Sequence, residues 1–161
     1  MTDMRVAFVD AYVLRPSGTG RERDGGLEVL VLRRAGDGRS PGSWETVHGH
    51  IESGETPVQA VVRELREETG LEPLRLYNVS RVEAFYRHRT DEIVVIPVFA
   101  GFVAAGAAAR HSREHDRAEW LAPAAAAARF SWPRERRALE DVLSILGSGT
   151  AGLLEDVLRV S

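Results

Sequence analysis

A chain of 161 residues fits one domain, and a chain of that size buries about two-thirds of the surface its unfolded form exposes. With 43% hydrophobic and 28% charged residues it is no disordered chain, and a formal net charge of -3 leaves no broad basic surface for a nucleic-acid duplex. Cysteine is absent, which excludes disulfides and thiolate ligands, so any bound metal takes oxygen or imidazole and is expected to be a hard cation.

The start, Met1 to Arg5, leads into a short apolar run at 6–14 that Asp10 interrupts. This is not the plan of a signal peptide, and no later run approaches membrane-spanning length. A cytoplasmic protein without a membrane partner is the expectation. Residues 6–14 and 28–34 predict strands, separated by a Gly- and charge-rich loop at 16–26. A second loop at 35–43 precedes a short strand around 44–48. The best-defined helix follows: Thr56 as N-cap, Pro57 as first helical residue, Gln59 completing a capping box and Gly70 as C-terminal cap. Val58, Val61, Val62 and Leu65 recur at helical spacing as its buried stripe. Downstream, 75–86 and 93–103 read as strands joined across a turn holding Arg87, His88 and Arg89. Residues 119–121 predict a short strand, 123–129 an Ala-rich helix, and 133–146 a helix with Leu139, Val142, Leu143 and Leu146 inward. A last turn or two of helix at 153–160 depends on docking.

The capped helix has an unusual polar face. At ~100° per residue, Glu64, Glu67 and Glu68 converge on one arc beside the apolar stripe, with Glu55 just before the N-terminus. A solvated acidic face is the ordinary explanation, but local stability does not favour this pattern. Arg63 precedes Glu67 in the weaker order for a helix pair, and Glu67 and Glu68 sit where the macrodipole disfavours negative charge. Carboxylates on a rigid helix are what Mg²⁺ requires, with open positions left for water and phosphate. Upstream, the stretch 49–55 turns tightly, with glycines where positive φ or close approach is needed.

Taken together, Gly49, Glu55, Arg63-Glu64, Glu67-Glu68 and Gly70 stand in the register of the Nudix signature, and the chain resembles that family. The resemblance implies an α/β/α sandwich, a mixed β-sheet between helices, with residues 1–161 as a single domain. It implies Mg²⁺, or Mn²⁺ as a substitute, bound by Glu64, Glu67 and Glu68 in the region of Gly49. Glu55 is then a supporting residue, Arg63 orients a carboxylate, and the general base lies between Glu68 and Glu114. A homodimer is expected only by analogy. The stretches Glu114-His115, Glu119 to Ala127, Ser131-Trp132 and Arg136 to Glu140 resemble the C-terminal third of bacterial dihydroneopterin triphosphate diphosphatases, as does the altered lead-in Val47-His48-Gly49. That likeness implies Glu114 as a further metal ligand and a nucleoside or pterin triphosphate as substrate.

The alternatives are a Nudix hydrolase for ADP-ribose, a nucleotide sugar or a dinucleoside polyphosphate, and a non-catalytic nucleotide-binding module. Arg87 and Arg89 are candidates for a triphosphate clamp, against solvation at a hairpin tip. Trp44 either stacks on a base or plugs the core. Trp120 and Trp132 read as packing residues, and His48 and His50 as loop residues rather than ligands.

Overall fold

The computed structural model describes residues 1–18 and 26–161. In chain order its strands are β1 (Asp3–Val6), β2 (Phe8–Pro16), β3 (Leu27–Arg34), β4 (Trp44–Glu45) and β5 (Val47–His50), then β6 (Arg75–Arg87), β7 (Glu92–Phe102) and β8 (His115–Leu121). Helix α1 (Pro57–Thr69) separates β5 from β6, and α2 (Pro123–Arg129), α3 (Pro133–Leu146) and α4 (Glu155–Leu158) follow β8. All eight strands join one mixed sheet. Strand β2 is its hub: parallel to β7 over Asp10 to Leu14, antiparallel to β5 at its start and to β3 at its end.

Strand alternation sorts β2 and β3 onto two faces. Tyr12, Leu14, Val29 and Val31 pack with Ala126 of α2 and with Ala138, Leu139, Val142 and Leu146 of α3. Ala11, Val13, Leu30 and Leu32 pack on the other side with Ala60, Val61 and Leu65 of α1. Helices cover both faces, which is the α/β/α sandwich. Both faces being buried is also why these strands are near-continuous apolar runs.

Several elements differ from the sequence expectation. Strand β1 has no apolar alternation and is exposed throughout, yet it pairs parallel with β7 from Asp3↔Glu92 to Val6↔Val95. The strand expected at 44–48 is two strands: β4 pairs with β3, β5 with β2, and the Thr46 hydroxyl between them donates to the Ala11 carbonyl at 2.5 Å. Gly49 and His50 therefore belong to a strand, not a loop. Strand β8 begins four residues before 119, at buried His115, and its exposed residues Asp116 and Arg117 follow in a segment held by backbone pairing with β3. On α1, Val58 is exposed and Ala60 is buried in its place, and Glu64 and Glu68 lie inside with Leu65. Most of the loop expected at 16–26 lies outside the described residues. The C-terminal turns dock through buried Leu158, through Tyr77, whose hydroxyl donates to Glu155 at 2.9 Å, and through a Val160 N–H bond to the Leu76 carbonyl at 2.8 Å. Among the described residues no helix is long and apolar enough to cross a membrane.

Candidate active site

Helix α1 is fixed at both ends. The Thr56 hydroxyl accepts from the Gln59 N–H at 3.2 Å, the Gln59 side chain accepts from the Thr56 N–H at 2.9 Å, and Gly70 closes the helix in the left-handed region at φ 69°. Such a frame holds Glu64 and Glu68 against β5. Glu64 meets it at Gly49: a Cβ added there would stand 1.9 Å from Cδ of Glu64. Only glycine lets the Glu64 carboxylate lie against that strand.

Arg63 ties this helix to the loop before it. Its Nε and Nη2 each donate to Glu55 at 2.9 Å, a two-pronged pairing, and Nη2 also donates to the His50 carbonyl at 2.8 Å. Glu55 in turn accepts the Glu52 N–H at 3.0 Å. The remaining arm of Arg63, Nη1, donates to Glu64 at 2.8 Å and Glu67 at 3.2 Å. Glu55, Arg63 and Glu64 thus form one connected set, and Glu67 extends from it into solvent with its side chain 60% exposed.

Glu64 and Glu68 are buried, and Oε2 of Glu68 has no hydrogen-bond partner. Burial pushes the Glu68 carboxyl well above the ordinary range, reinforced by the charges of Glu64, Glu45 and Glu114. Burial raises Glu64 too, against the pull of Arg63. An orphaned carboxylate oxygen on Glu68, close to a second buried carboxylate on Glu64, fits a hard divalent cation with oxygen ligands. No three acidic or imidazole groups among the described residues are already drawn into a ligand set. In this arrangement Arg63 holds Glu64 and Glu67 instead.

Glu114 lies in the turn before β8. Its Oε2 is 3.7 Å from Nη2 of Arg34, whose Nη1 donates to buried Glu45 at 2.9 Å. Glu45 also contacts Nε2 of buried His115 at 3.0 Å, so the neighbour of Glu114 is anchored in the same cluster. Arg34 continues into a cavity of about 500 Å³. Arg39, Arg87, Arg89 and Arg134 also line it, with aromatic walls from Phe8, Phe85, Tyr86 and Trp132. Both arginines expected from the basic turn, Arg87 and Arg89, are therefore on the pocket, and Arg87 lies 5.5 Å over the Phe8 ring. Beneath it Asp10, fully buried, takes a 2.6 Å contact from Nδ1 of His48 and an ion pair with Arg134. Burial alone would raise the Asp10 carboxyl, but these two partners outweigh it and hold it below the usual range.

Trp44 does not line this cavity. Pairing of Arg33 with Trp44 across β3 and β4 leaves its ring between Arg33 and Arg129, the latter guanidinium 4.6 Å above it, packed against the core. Trp132, read from sequence as packing, is 42% exposed and on the pocket. Sequence reasoning assigned no role to Asp10 or Arg134, and His48, expected as a loop residue, lies in β5 against Asp10. Two local irregularities point to Asp10 and Arg134: an aspartate inside an apolar strand, and an arginine in the first turn of a helix, where the macrodipole disfavours a cation.

A model of the NUDIX domain matches residues 9–142. The chain belongs to the Nudix hydrolase family. Among its Nudix relatives, the dihydroneopterin triphosphate diphosphatase of Escherichia coli K12 is 37% identical over an alignment of 127 positions that covers 70% of this chain and 80% of that protein. The octanoyltransferase of Myxococcus xanthus is 38% identical over 100 residues, 58% of this chain, and this chain spans only 26% of that protein. The solved E. coli dihydroneopterin triphosphate pyrophosphohydrolase superposes with a TM-score of 0.59 at 26% identity, covering 84% of this chain and 96% of that one. The strand end, loop and helix from Gly49 to Gly70 carry the Nudix signature, and buried Glu68 feels the charges of Glu45 and Glu114, the two carboxylates that Arg34 of the cavity contacts.

Proposed function

We propose that this Nudix hydrolase cleaves a nucleoside or pterin triphosphate at a phosphoanhydride bond and releases pyrophosphate, with Mg²⁺ as cofactor and Mn²⁺ as a substitute. The observation that carries the reading is the orphaned oxygen of Glu68, beside Glu64 on the glycine platform of Gly49, next to a cavity with several arginines. Glu64, Glu67 and Glu68 would hold the cation, with Glu114 joining from its turn. When bound, a divalent cation neutralises phosphate charge and acidifies a coordinated water. The chain's own residues supply the rest. Arg63 keeps Glu64 oriented through its grip on Glu55. Arg34, Arg39, Arg87 and Arg89 bind the polyphosphate and offset the charge that builds on the leaving group. Water oxygen bonds to phosphorus as the bond to the bridging oxygen breaks, and the water's proton passes to Glu68 or Glu114, the two candidate bases.

The test is product analysis after incubation with Mg²⁺ and, in turn, dihydroneopterin triphosphate, deoxynucleoside triphosphates, ADP-ribose and a dinucleoside tetraphosphate. Pyrophosphate as the dominant product from a triphosphate is the expected result. Preferential cleavage of ADP-ribose or the dinucleotide would discard the substrate class, and unchanged turnover in both E67Q and E68Q would discard the metal site.

A further inference from the structure

His48 and Arg134 on the cavity wall, with Asp10 buried behind them, form a charged cluster to which the polyphosphate contacts proposed above give no role. Asp10 sits in the middle of β2 with no exposed surface, and a buried aspartate has to be matched by partners of opposite charge or by hydrogen bonds. It has two: Nδ1 of His48 on β5 and Nη1 of Arg134 on α3. Three elements remote in sequence therefore spend their polar groups on holding one guanidinium in place. Arg134 is 21% exposed in its side chain, lines the cavity, and has no hydrogen-bond partner other than Asp10 among the described residues. Its Nε and Nη2 donors remain for a ligand. Trp132, two residues earlier, stands on the same cavity with Phe85 and Tyr86, so the cavity that Arg134 lines also has aromatic walls.

A planar fork of donors fixed from behind, next to aromatic surfaces, matches one kind of heterocycle edge: a ring carbonyl with an acceptor nitrogen beside it. We propose that Arg134, held in position by Asp10, reads the oxo edge of a fused bicyclic base, and that the site selects 6-oxopurine or 4-oxopteridine triphosphates over 6-aminopurine ones. In a 6-oxopurine the carbonyl and N7 both accept. The 4-oxo group and N5 of a 7,8-dihydropterin present the same pair. A 6-aminopurine puts a donor where the carbonyl would be, facing the donors of Arg134. His48 and Asp10 are positioning residues here, and Arg134 is the specificity residue. This inference rests on the triphosphate reading of the same site.

The experiment separates the two by measuring binding without turnover. Calorimetric titration of the whole chain in EDTA with dGTP, dITP, dATP and dihydroneopterin triphosphate reads base preference, while metal-dependent product analysis reads the reaction. The expected result is that dGTP and dITP bind at least about tenfold more tightly than dATP. Whether the pterin or the purine binds more tightly names the source of the oxo edge. R134K keeps a positive charge beside Asp10 but loses the fork, and should bring the dGTP to dATP ratio close to one with the melting temperature little changed. If R134K does not fold, the wild-type ratios with dITP still decide. Equal or tighter binding of dATP overturns the inference, as does dITP behaving like dATP, a ratio undisturbed in folded R134K, or no measurable binding of any of the four. Triphosphate cleavage in the presence of any of these results would leave the reaction standing and the base preference refuted.

Discussion

Gly49 and Glu64 lie 15 positions apart and depend on each other through a single missing atom. The glycine has no need of a left-handed backbone, since it sits in regular pairing with Val9; what it supplies is the space in which the Glu64 carboxylate rests. G49A must push Glu64 and with it part of α1 outward. A shift near 1 Å in a catalytic constellation costs about 100-fold in rate, so kcat of G49A should fall by about that factor. Steady-state kinetics beside a thermal melt check it: a variant that folds and retains wild-type kcat would remove Gly49 from the site. The residues of the box were legible in the sequence because they are local. Helix spacing brings Glu64, Glu67 and Glu68 together, and the capping box marks where the helix begins. The contact between Gly49 and Glu64 was legible only as a spacing, not as a physical reason.

At the scale of elements, α3 shows how a helix is locked to the sheet by a group the periodicity hid. Leu139, Val142 and Leu146 face the core as their spacing predicts, but Glu135 in the first turn is buried as completely as they are. Its Oε1 accepts the Thr46 N–H at 3.1 Å, which satisfies the backbone at the break between β4 and β5, and its Oε2 has no partner. Burial, reinforced by the charge of Asp10, pushes the Glu135 carboxyl well above its ordinary value of 4.5. A carboxyl raised on folding stabilises the protein below its unfolded pKa, and that contribution is lost as pH climbs from there toward the folded pKa. Glutamine at this position keeps the acceptor for Thr46 and removes the ionisation. The melting temperature of E135Q relative to wild type should therefore rise by several degrees as pH is raised from 4 through neutrality; a difference independent of pH would rule out the raised carboxyl. Strand β1 illustrates the opposite case. It carries no pattern because its side chains are exposed and only its backbone is used, by β7.

Across the whole molecule, the metal site proposed above sets stability against function at Glu68. Wild-type protein without metal carries that buried carboxyl at a cost which increases as pH rises above the ordinary glutamate value, because its folded pKa lies higher. Saturating Mg²⁺ should offset it and raise the melting temperature, with ~2.7 kcal/mol of linkage at a hundred times the dissociation constant. E68Q should melt higher than wild type in chelator at neutral pH, show a much smaller Mg²⁺ shift, and turn over substrate poorly. Differential scanning calorimetry with and without Mg²⁺ reads this, and an E68Q protein with an undiminished Mg²⁺ shift would contradict it.

The sequence by itself determined the strands buried on both faces, the capped helix and the box, since each is written in periodicity, caps and spacing within a few turns of chain. Tertiary structure alone decided the pocket. Asp10, His48 and Arg134 come from β2, β5 and α3, and nothing local relates them until the sheet pairs Asp10 with His48 and α3 packs over it. The same holds for the two tryptophans. Pairing of β4 with β3 packs Trp44, half-buried, against the core beside Arg129, and the chain entering α3 leaves Trp132 on the cavity. A residue's type states what chemistry it can do, but burial and partners are properties of the assembled sheet, and these fix where that chemistry is used.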